Sequence, residues 1–229
     1  MSNAIRSRTA GATREKRPAL CYKLRREGSD DMSADKGKTV VRRRSTEPAD
    51  RYGRVQTEIG ELWVAFSSRG VRMIRPGDER ALDFEGAFRR RFGRCPVLAA
   101  VPGCYARLVR HAAAGMPQGK PQLDLRGLRP FEIRVLDALR EIPRGQVRTY
   151  AWLARQAGSP GAARAAGNAM ARNPVPLLLP CHRVVPARGG LGGYAFGPAI
   201  KRELLRREGL SVAWPERPGR PRAAGAGKP

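Results

Sequence analysis

A cysteine and a histidine stand side by side in the segment "LLLPCHRVVPARGGLGGY", residues 177–194. A thiolate is a strong nucleophile when its pKa is lowered and a base lies nearby, so Cys181 and His182 could form a reactive pair. Two other interpretations are a metal ligand and a buried cysteine that packs as a small hydrophobic residue. Adjacency alone favours packing, because neighbouring side chains on an extended segment point to opposite faces.

The surroundings of Cys181 favour a reactive group that is held in place. The stretch "NPVPLLLPCHRVVP" contains four prolines and predicts a stiff, extended path that ends at the thiol. His182 could take the thiol proton directly or through one water, while a carboxylate orients its other nitrogen. Two carboxylates, Glu203 and Glu208, follow in the helical pattern "IKRELLRREG", and we expect one of them to reach back to His182.

A metal site has little support in the sequence. Besides Cys181 there are three cysteines, Cys21, Cys95 and Cys104, and no two cysteines form a CxxC pair. The second histidine, His111, cannot complete a ligand set with them locally. We therefore predict no metal and no cofactor, and we interpret the three other cysteines as structural or incidental.

The charge of the chain points to a polyanionic partner. A formal net charge of +25 and a pI near 11.5 favour nucleic acid over a membrane, because phosphate neutralisation releases counterions. A GC-rich coding bias toward Arg, Ala, Gly and Pro is the alternative explanation. Residues 151–200, however, hold five Arg and no Asp or Glu, and such a bias would not remove the acids. No apolar run is long enough to span a membrane, which predicts a soluble, cytoplasmic protein.

Composition divides the chain into four parts. Residues 1–50 predict a disordered basic arm, and residues 212–229 a disordered tail rich in Pro, Gly and Arg. Residues 51–125 predict a small α/β domain, and residues 126–211 a mainly helical one. The expected elements of the α/β domain are strands near 54–58, 61–66 and 71–74, followed by helices over "DFEGAFRRRFG" and "CYARLVRHAAAG".

The mainly helical part begins with "PFEIRVLDALREI", in which four apolar residues fall on one helical face: Phe131, Val135, Leu139 and Ile142. A second helix, "TYAWLARQAG", is expected to begin at Thr149 or Tyr150 and to stop at Gly158. We expect Ser159 to cap a third helix with Pro160 at its first position.

The third helix, "GAARAAGNAMARN", consists almost entirely of small residues and carries Arg164 and Arg172. Two short helices joined by a tight turn, the second small and basic, favour a helix-turn-helix that approaches DNA. The alternative is an alanine-rich helix packed inside a bundle. The absence of acids in this region favours DNA.

These motifs occur together in one family. "NPVPLLLPCHRVVPARGGLGGY", with "GQVRTYAWLARQAGSPGAARAAGNAMARNP" before it and "AIKRELLRREG" after it, resembles the 6-O-alkylguanine-DNA alkyltransferases in order and spacing. The resemblance is strong over residues 129–209. It is looser over residues 51–125, chiefly in "TEIGELWVAF". It implies a ribonuclease H-like α/β N-terminal domain and a winged-helix-like C-terminal domain that contains the helix-turn-helix.

The resemblance also implies catalytic roles. Cys181 would accept the alkyl group, His182 would be its base through a water, and Glu208 would orient His182. Tyr150 would assist the departing guanine at ring nitrogen 3, and Asn173 would hold the bend before the active-site loop.

Roles in binding follow in the same way. Arg164 would fill the stack left by an extruded nucleotide, with Arg172, Ala163 and Gly167 also on the DNA-binding surface. The pocket would be built from Met170, Pro176, Val184, Tyr194 and Ala195, and backbone groups of Cys181, Val184 and Ala195 would read the base edge.

The implied activity is single-use, irreversible repair of 6-O-alkylguanine, and weakly of 4-O-alkylthymine, in double-stranded DNA. No protein partner is expected, and we expect a monomer that associates with the nucleoid when bound to DNA. One alternative is a non-catalytic lesion sensor of the same fold, although such relatives replace the cysteine that is present here. The other is a cysteine hydrolase that uses Cys181 and His182 for acyl transfer.

One departure from the family pattern lies just past the pocket tyrosine. In "GYAFGP", Phe196 stands where the family commonly has glycine. Its ring could narrow the pocket or turn outward, and this choice bears on the size of alkyl group that the pocket accepts.

Overall fold

A computed structural model describes residues 49–116 and 119–210. Most of the predicted arm, the predicted tail and Cys21 lie outside the described residues. No helix in the described ranges is both long and apolar enough to cross a bilayer.

An antiparallel meander opens the described chain. Strands β1 (Arg51–Thr57), β2 (Gly60–Ser67) and β3 (Gly70–Pro76) pair in sequence, and β4 (Val97–Leu98) adds to β1 in parallel, which gives the order β3-β2-β1-β4. The hairpins turn at glycines with positive φ, 109° at Gly60 and 142° at Gly70. The three predicted strands are confirmed, with bounds that differ by up to three residues.

Two helices accompany this sheet, where the sequence predicts them. α1 (Ala81–Phe92) ends at Gly93 with a left-handed φ of 73°, and α2 (Gly103–Ala113) follows β4. Phe84 of α1 stacks on Tyr52 of β1 with ring centroids 5.2 Å apart, so α1 covers one face of the sheet. The α/β character of this half is confirmed.

The second half is mainly helical. α3 (Pro130–Ala138) continues as a 3₁₀ turn, Leu139–Glu141, and is followed by β5 (Arg148–Thr149), α4 (Tyr150–Gln156) and α5 (Ala163–Ala171). A 3₁₀ turn at Cys181–Arg183, β6 (Val184–Val185) and α6 (Gly197–Arg207) complete it. Both halves contribute to one hydrophobic cluster, which includes Val64 from β2, Leu136 from α3 and Leu204 from α6.

The helix-turn-helix pair differs from the sequence prediction at its turn. α4 begins at Tyr150, one of the two expected starts, and Thr149 caps it, because its hydroxyl accepts from Trp152 N at 3.2 Å. The predicted cap at Ser159 and the start of the helix at Pro160 are wrong, since α5 begins at Ala163. Instead, Ser159 O accepts from Ala162 N at 3.1 Å, and Gly161 has a φ of 84°, so these residues form a separate turn.

A short parallel pair of strands connects the helix pair to the cysteine segment. β5 pairs with β6, with Arg148 opposite Val184 and Thr149 opposite Val185. Because Tyr150 directly follows β5 and the Cys181 turn directly precedes β6, this pairing fixes the start of α4 against the cysteine segment.

Candidate active site

The thiol of Cys181 faces a cavity of about 240 Å³. The cavity lies between α4, α5, the cysteine segment and the loop before α6. Its walls are Tyr150, Gly167, Met170, Ala171, Asn173, Pro176, Cys181, Gly193, Tyr194 and Ala195. The structure therefore brings together eight of the residues that the sequence placed at a site, from four separate segments of the chain.

The path into Cys181 is not the extended one that the prolines predict. Residues 174–180 are buried and turned: Asn173 Oδ1 accepts from Val175 N at 3.0 Å, and Leu179 N donates to Val175 O at 3.1 Å. Leu177 has a φ of 74°, which costs about 1–3 kcal/mol in a residue other than glycine. A buried backbone must satisfy its polar groups, and hydrogen bonds within the turn satisfy part of them.

The turned segment is also tied to the sheet. Ile74 N of β3 donates to Pro174 O at 2.7 Å, so the sheet supports the bend that Asn173 begins. The expected opposite orientation of Cys181 and His182 rested on an extended backbone, and the 3₁₀ turn at Cys181–Arg183 replaces it.

Cys181 is 5% exposed and sits in a mixed electrostatic environment. Burial raises the pKa of its thiol, while the amide of Asn173 and the charge of Lys201 act in the opposite direction. Asn173 Nδ2 has no hydrogen-bond partner among the described residues. The thiol is therefore protonated at neutral pH and needs a base to become a nucleophile.

The candidate base is His182, the next residue of the chain. His182 Nε2 is 2.8 Å from Glu208 Oε1, and both side chains are buried. Burial lowers the pKa of His182 more than Glu208 raises it, so the imidazole is neutral at pH 7. His182 Nδ1 is buried and has no hydrogen-bond partner among the described residues, which leaves it available to accept a proton.

Glu208 remains ionised because two neighbours outweigh its desolvation. Burial would raise the pKa of this carboxyl, but hydrogen bonds from His182 and Arg183 lower it to about 2. Arg183 Nε lies 2.9 Å from Glu208 Oε2, and its Nη1 donates to Ile142 O at 2.7 Å. The other candidate carboxylate, Glu203, pairs with Arg206 and Arg207 on the outer side of α6.

Sequence reasoning missed two residues of this site. Arg183 is one, and Lys201 is the other: Lys201 is fully buried and donates from Nζ to Val184 O at 2.7 Å and to Gly193 O at 3.4 Å. Burial lowers the pKa of Lys201 to about 8, against the opposing effect of Cys181. A signal was present in composition, because residues 51–210 contain only two lysines, Lys120 and Lys201, among many arginines.

Two tyrosines line the cavity. Burial raises the pKa of Tyr150, with a further contribution from Cys181, so its hydroxyl is a proton-bearing donor at neutral pH. Burial raises the pKa of Tyr194 as well, and its ring meets the His182 ring edge-on at 6.1 Å. Phe196 packs edge-on against Tyr194 at 5.6 Å and is not among the residues that line the cavity. Its ring therefore supports Tyr194 from outside.

The remaining predicted residues lie around this centre. Val184 is buried in β6, and its carbonyl oxygen accepts from Lys201. Arg164 and Arg172 are both exposed at opposite ends of α5, where Arg172 pairs with Glu132, and Ala163 is partly exposed at the first turn. Gly167 lies against Tyr150, since a Cβ there would stand 3.7 Å from the tyrosine ring.

α5 has one buried and one open face. Ala166 and Ala169 pack in the core, whereas residues 164, 165, 168, 171 and 172 are exposed along the opposite side. This arrangement matches a helix that packs on its own domain by one face and leaves small residues and arginines free on the other. The bundle alternative would require both faces to be covered.

Comparison with known proteins agrees with this arrangement. The family described as "6-O-methylguanine DNA methyltransferase, DNA binding domain" matches residues 130–210. A methylated-DNA–protein-cysteine methyltransferase of Shigella flexneri is 38% identical over 161 residues, which cover 68% of this chain and 94% of that protein. A protein of the same name from Methanothermobacter thermautotrophicus is 46% identical over 90 residues, which cover 39% of this chain and 50% of that protein.

Solved structures show the same fold. The crystal structure of Mycobacterium tuberculosis OGT in complex with DNA matches with a TM-score of 0.56 at 35% identity, over 69% of this chain and 92% of that one. The O6-methylguanine-DNA methyltransferase of Pyrococcus kodakaraensis matches with a TM-score of 0.55 at 28% identity, over 70% and 99%.

Fold and site together define a protein with a DNA-binding domain whose pocket contains a buried cysteine. Since the Shigella relative is matched over nearly its whole length, the family is settled as well. The chain belongs to the methylated-DNA–protein-cysteine methyltransferases.

Proposed function

We propose that the protein removes the alkyl group from 6-O-alkylguanine in double-stranded DNA, and weakly from 4-O-alkylthymine, by transferring it to its own Cys181. The observation that carries the proposal is a buried thiol on a base-sized cavity, followed in the chain by the buried His182–Glu208 pair. At about 240 Å³ the cavity lies below the usual range for drug-sized ligands, which suits a single base. Because a duplex hides guanine oxygen 6, the nucleotide must be flipped out to reach this cavity.

The reaction needs a proton acceptor at the thiol and a hydrogen-bond donor at the departing guanine. His182 takes the thiol proton through a water, the Cys181 sulfur forms a bond to the alkyl carbon, and the bond from that carbon to guanine oxygen 6 breaks. The electrons of the broken bond remain on the guanine, and Tyr150 stabilises the resulting anion by donating toward ring nitrogen 3. Glu208 keeps the proton-bearing Nε2 of His182 in place, so that Nδ1 accepts.

The product is a thioether, which water does not hydrolyse because it contains no acyl carbon. We therefore infer that each molecule reacts once. Asn173 holds the bend ahead of the cysteine segment, and Met170, Pro176 and Tyr194 form the walls against which the base packs.

Recognition of the base edge would use backbone groups. Cys181, Val184 and Ala195 offer main-chain donors and acceptors at or near the cavity. Val184 O already accepts from Lys201, but a carbonyl oxygen has a second lone pair for the base.

Flipping would be driven from the open face of α5. Arg164 at its start would enter the base stack, Ala163 and Gly167 would allow close approach to the groove, and Arg172 would contact a phosphate. Flipping costs a few kcal/mol, which these contacts offset.

We further propose the finer architecture that the resemblance implies. The meander with α1 and α2 is assigned a ribonuclease H-like fold over 51–125, and α4, α5 and the β5–β6 pair a winged-helix-like fold over 126–211. The protein would act as a monomer without a protein partner, free in the cytoplasm and on the nucleoid when bound to DNA.

A stoichiometry measurement tests the proposal. Protein is mixed with a large excess of duplex that carries one labelled 6-O-methylguanine, and transferred label is counted against time. We expect it to plateau at one alkyl group per molecule. Continued turnover would indicate a hydrolase, and tight lesion binding without loss of the alkyl group would indicate a sensor.

A further inference from the structure

A second cavity, of about 400 Å³, lies beside the first. Ala171 and Asn173 line both cavities, so the two are neighbours across the end of α5. Four arginines from three elements line the second one: Arg75 of β3, Arg90 and Arg91 of α1, and Arg172 after α5. The proposed function gives no role to the three arginines that come from the N-terminal half.

A buried carboxylate fixes two of these arginines. Glu132 of α3 is 3% exposed and accepts from Arg91 Nη2 through one oxygen and from Arg172 Nε through the other, both at 2.9 Å. Burial would raise the pKa of Glu132, but hydrogen bonds from Arg91, the Arg129 backbone and Arg172 lower this pKa. The carboxylate is therefore ionised. Glu132 thereby joins the last turn of α1 to the end of α5.

The charges around this cavity do not balance. Arg75 is paired with Glu79, and Arg91 and Arg172 share the single charge of Glu132. Arg90 is exposed and makes no close ion pair within the described ranges, although its charge acts on Asp83 of the same helix. Four guanidinium groups thus have two carboxylates as close partners, and Asp83 offsets only part of the remaining positive charge.

Guanidinium groups gathered in this way suit a phosphate. Their planar donors match phosphate oxygens, and an arginine in an ion pair with a carboxylate still has donors to spare. The side chain of Arg172 is 52% exposed although it pairs with Glu132, so it can contact a ligand as well.

The position of the cavity favours DNA over a small free anion. The exposed face of α5 runs from Arg164 to Arg172, about 12 Å along the helix axis, and ends at this cavity. A strand that follows that face and delivers a nucleotide to the Cys181 pocket would bring a neighbouring phosphate to the shared wall.

We propose that the arginine cavity binds a backbone phosphate of the DNA strand whose nucleotide enters the Cys181 pocket. The DNA interface then extends beyond the helix-turn-helix onto α1 and β3 of the N-terminal half. This inference rests on the proposed function and adds a docking surface to it.

Arg90→Gln tests the inference, because Arg90 is exposed and its removal breaks no close ion pair. Arg107→Gln on α2 is the matched control, since it removes the same charge from an exposed helical position outside the cavity. We expect Arg90→Gln to weaken duplex binding roughly threefold to tenfold and to reduce the slope of log affinity against log salt by about 0.9. Arg90→Lys should restore the slope, and transfer from a free alkylated base should be unchanged in all three variants.

Equal slopes for Arg90→Gln and Arg107→Gln would overturn the inference. The inference would also fail if Arg90→Gln lost binding of inorganic phosphate but bound DNA as the wild type does. That result would assign the cavity to a free anion. Failure of the proposed function is distinguishable, because the wild-type protein would then transfer no label from DNA to Cys181 whatever the behaviour of Arg90.

Discussion

Two buried ionic clusters, one in each half of the chain, differ in what they contain. In the N-terminal half, Arg72 lies between Asp50 and Asp124 at 3.3 and 3.4 Å, with Arg94 and Arg126 completing the pairs. In the C-terminal half, Glu208 is held by Arg183 and His182. Each cluster has a carboxylate whose pKa is lowered although burial acts to raise it.

The two clusters differ in which polar atom is left without a hydrogen-bond partner. Arg72 Nε has no hydrogen-bond partner among the described residues, but its guanidinium stacks 4.4 Å from the Phe92 ring and stays protonated at neutral pH. The second cluster ends at His182 Nδ1, a titratable atom of the residue that follows Cys181, which itself lines the cavity. A buried ion pair alone therefore indicates a structural role. A reactive site also needs a nucleophile and a proton acceptor that has no hydrogen-bond partner.

The largest expected effect is on stability. Arg72→Met leaves two buried carboxylates short of a partner and should lower the free energy of unfolding by about 3 kcal/mol or more, because an uncompensated buried charge is costly. Urea unfolding measures it. Arg54→Gln, which removes an exposed ion pair with Glu61, should cost less than about 1 kcal/mol. Transfer by the folded fraction of Arg72→Met should remain within twofold of wild type, and a large loss would contradict a purely structural role.

Glu208→Gln should have the opposite pattern, with its main effect on transfer. Loss of the orienting carboxylate should slow transfer to Cys181 about a hundredfold, the lower end of general-base contributions. Single-turnover kinetics measure it, with Glu203→Gln as the control. If Glu203→Gln slowed transfer more, the assigned carboxylate would be wrong.

The lowered pKa of Glu208 also predicts that the protein is less stable in acid. Its ordinary pKa is 4.5 and its folded pKa is about 2, so its ionised form stabilises the fold above pH 4.5, and this contribution is lost as the pH falls toward 2. Roughly 3 kcal/mol is involved. Unfolding measured between pH 2 and pH 6 should therefore be flatter in Glu208→Gln than in wild type. Parallel curves would contradict the folded pKa.

Lys201→Met should have an intermediate effect. The variant loses the two hydrogen bonds to the pocket loop and the positive charge that opposes the raised pKa of Cys181. We expect transfer at pH 7 to fall roughly tenfold and the pH–rate profile to move to higher pH, since each pKa unit corresponds to a factor of ten in thiolate. Lys201→Arg tests whether charge alone suffices. A slower rate with an unmoved profile would leave only the structural role.

An effect of similar size, but confined to duplex DNA, should come from the open face of α5. Arg164→Ala should slow transfer from duplex DNA roughly tenfold and leave transfer from a free alkylated base unchanged, because the residue acts on flipping alone. Arg155→Ala, on the neighbouring α4, is a matched removal of an exposed arginine. Equal slowing on both substrates would reject the role of Arg164 in the base stack.

The sequence indicated which residues form the site better than it indicated the backbone conformation that positions them. Apolar alternation and glycine turns were enough to predict the three strands, and the pocket residues were those that the family resemblance implied. The turn at Leu177 was not predictable, because a positive φ in leucine depends on tertiary hydrogen bonds such as that from Ile74 to Pro174. The role of Ser159 was misjudged because Gly161 permits a turn that the capping pattern does not reveal.

The same limit applies to the residues that were missed. Arg183 and Lys201 are long basic side chains in a strongly basic chain, and such residues usually lie at the surface. Their burial follows from where β6 and α6 meet, which no local pattern encodes. The helical pattern left Glu203 and Glu208 open; the family resemblance pointed to Glu208, and Glu208 Oε1 lies 2.8 Å from His182 Nε2.

Mapping of the alkyl group tests the central claim most directly. Protein is incubated with duplex DNA that carries isotopically labelled 6-O-methylguanine, digested, and its peptides are analysed by mass spectrometry, with Cys181→Ala in parallel. We predict label on Cys181 alone in the wild-type protein and none in the variant. Label on Cys95 or Cys104, or unchanged transfer in Cys181→Ala, would contradict the assignment of the buried thiol as the acceptor.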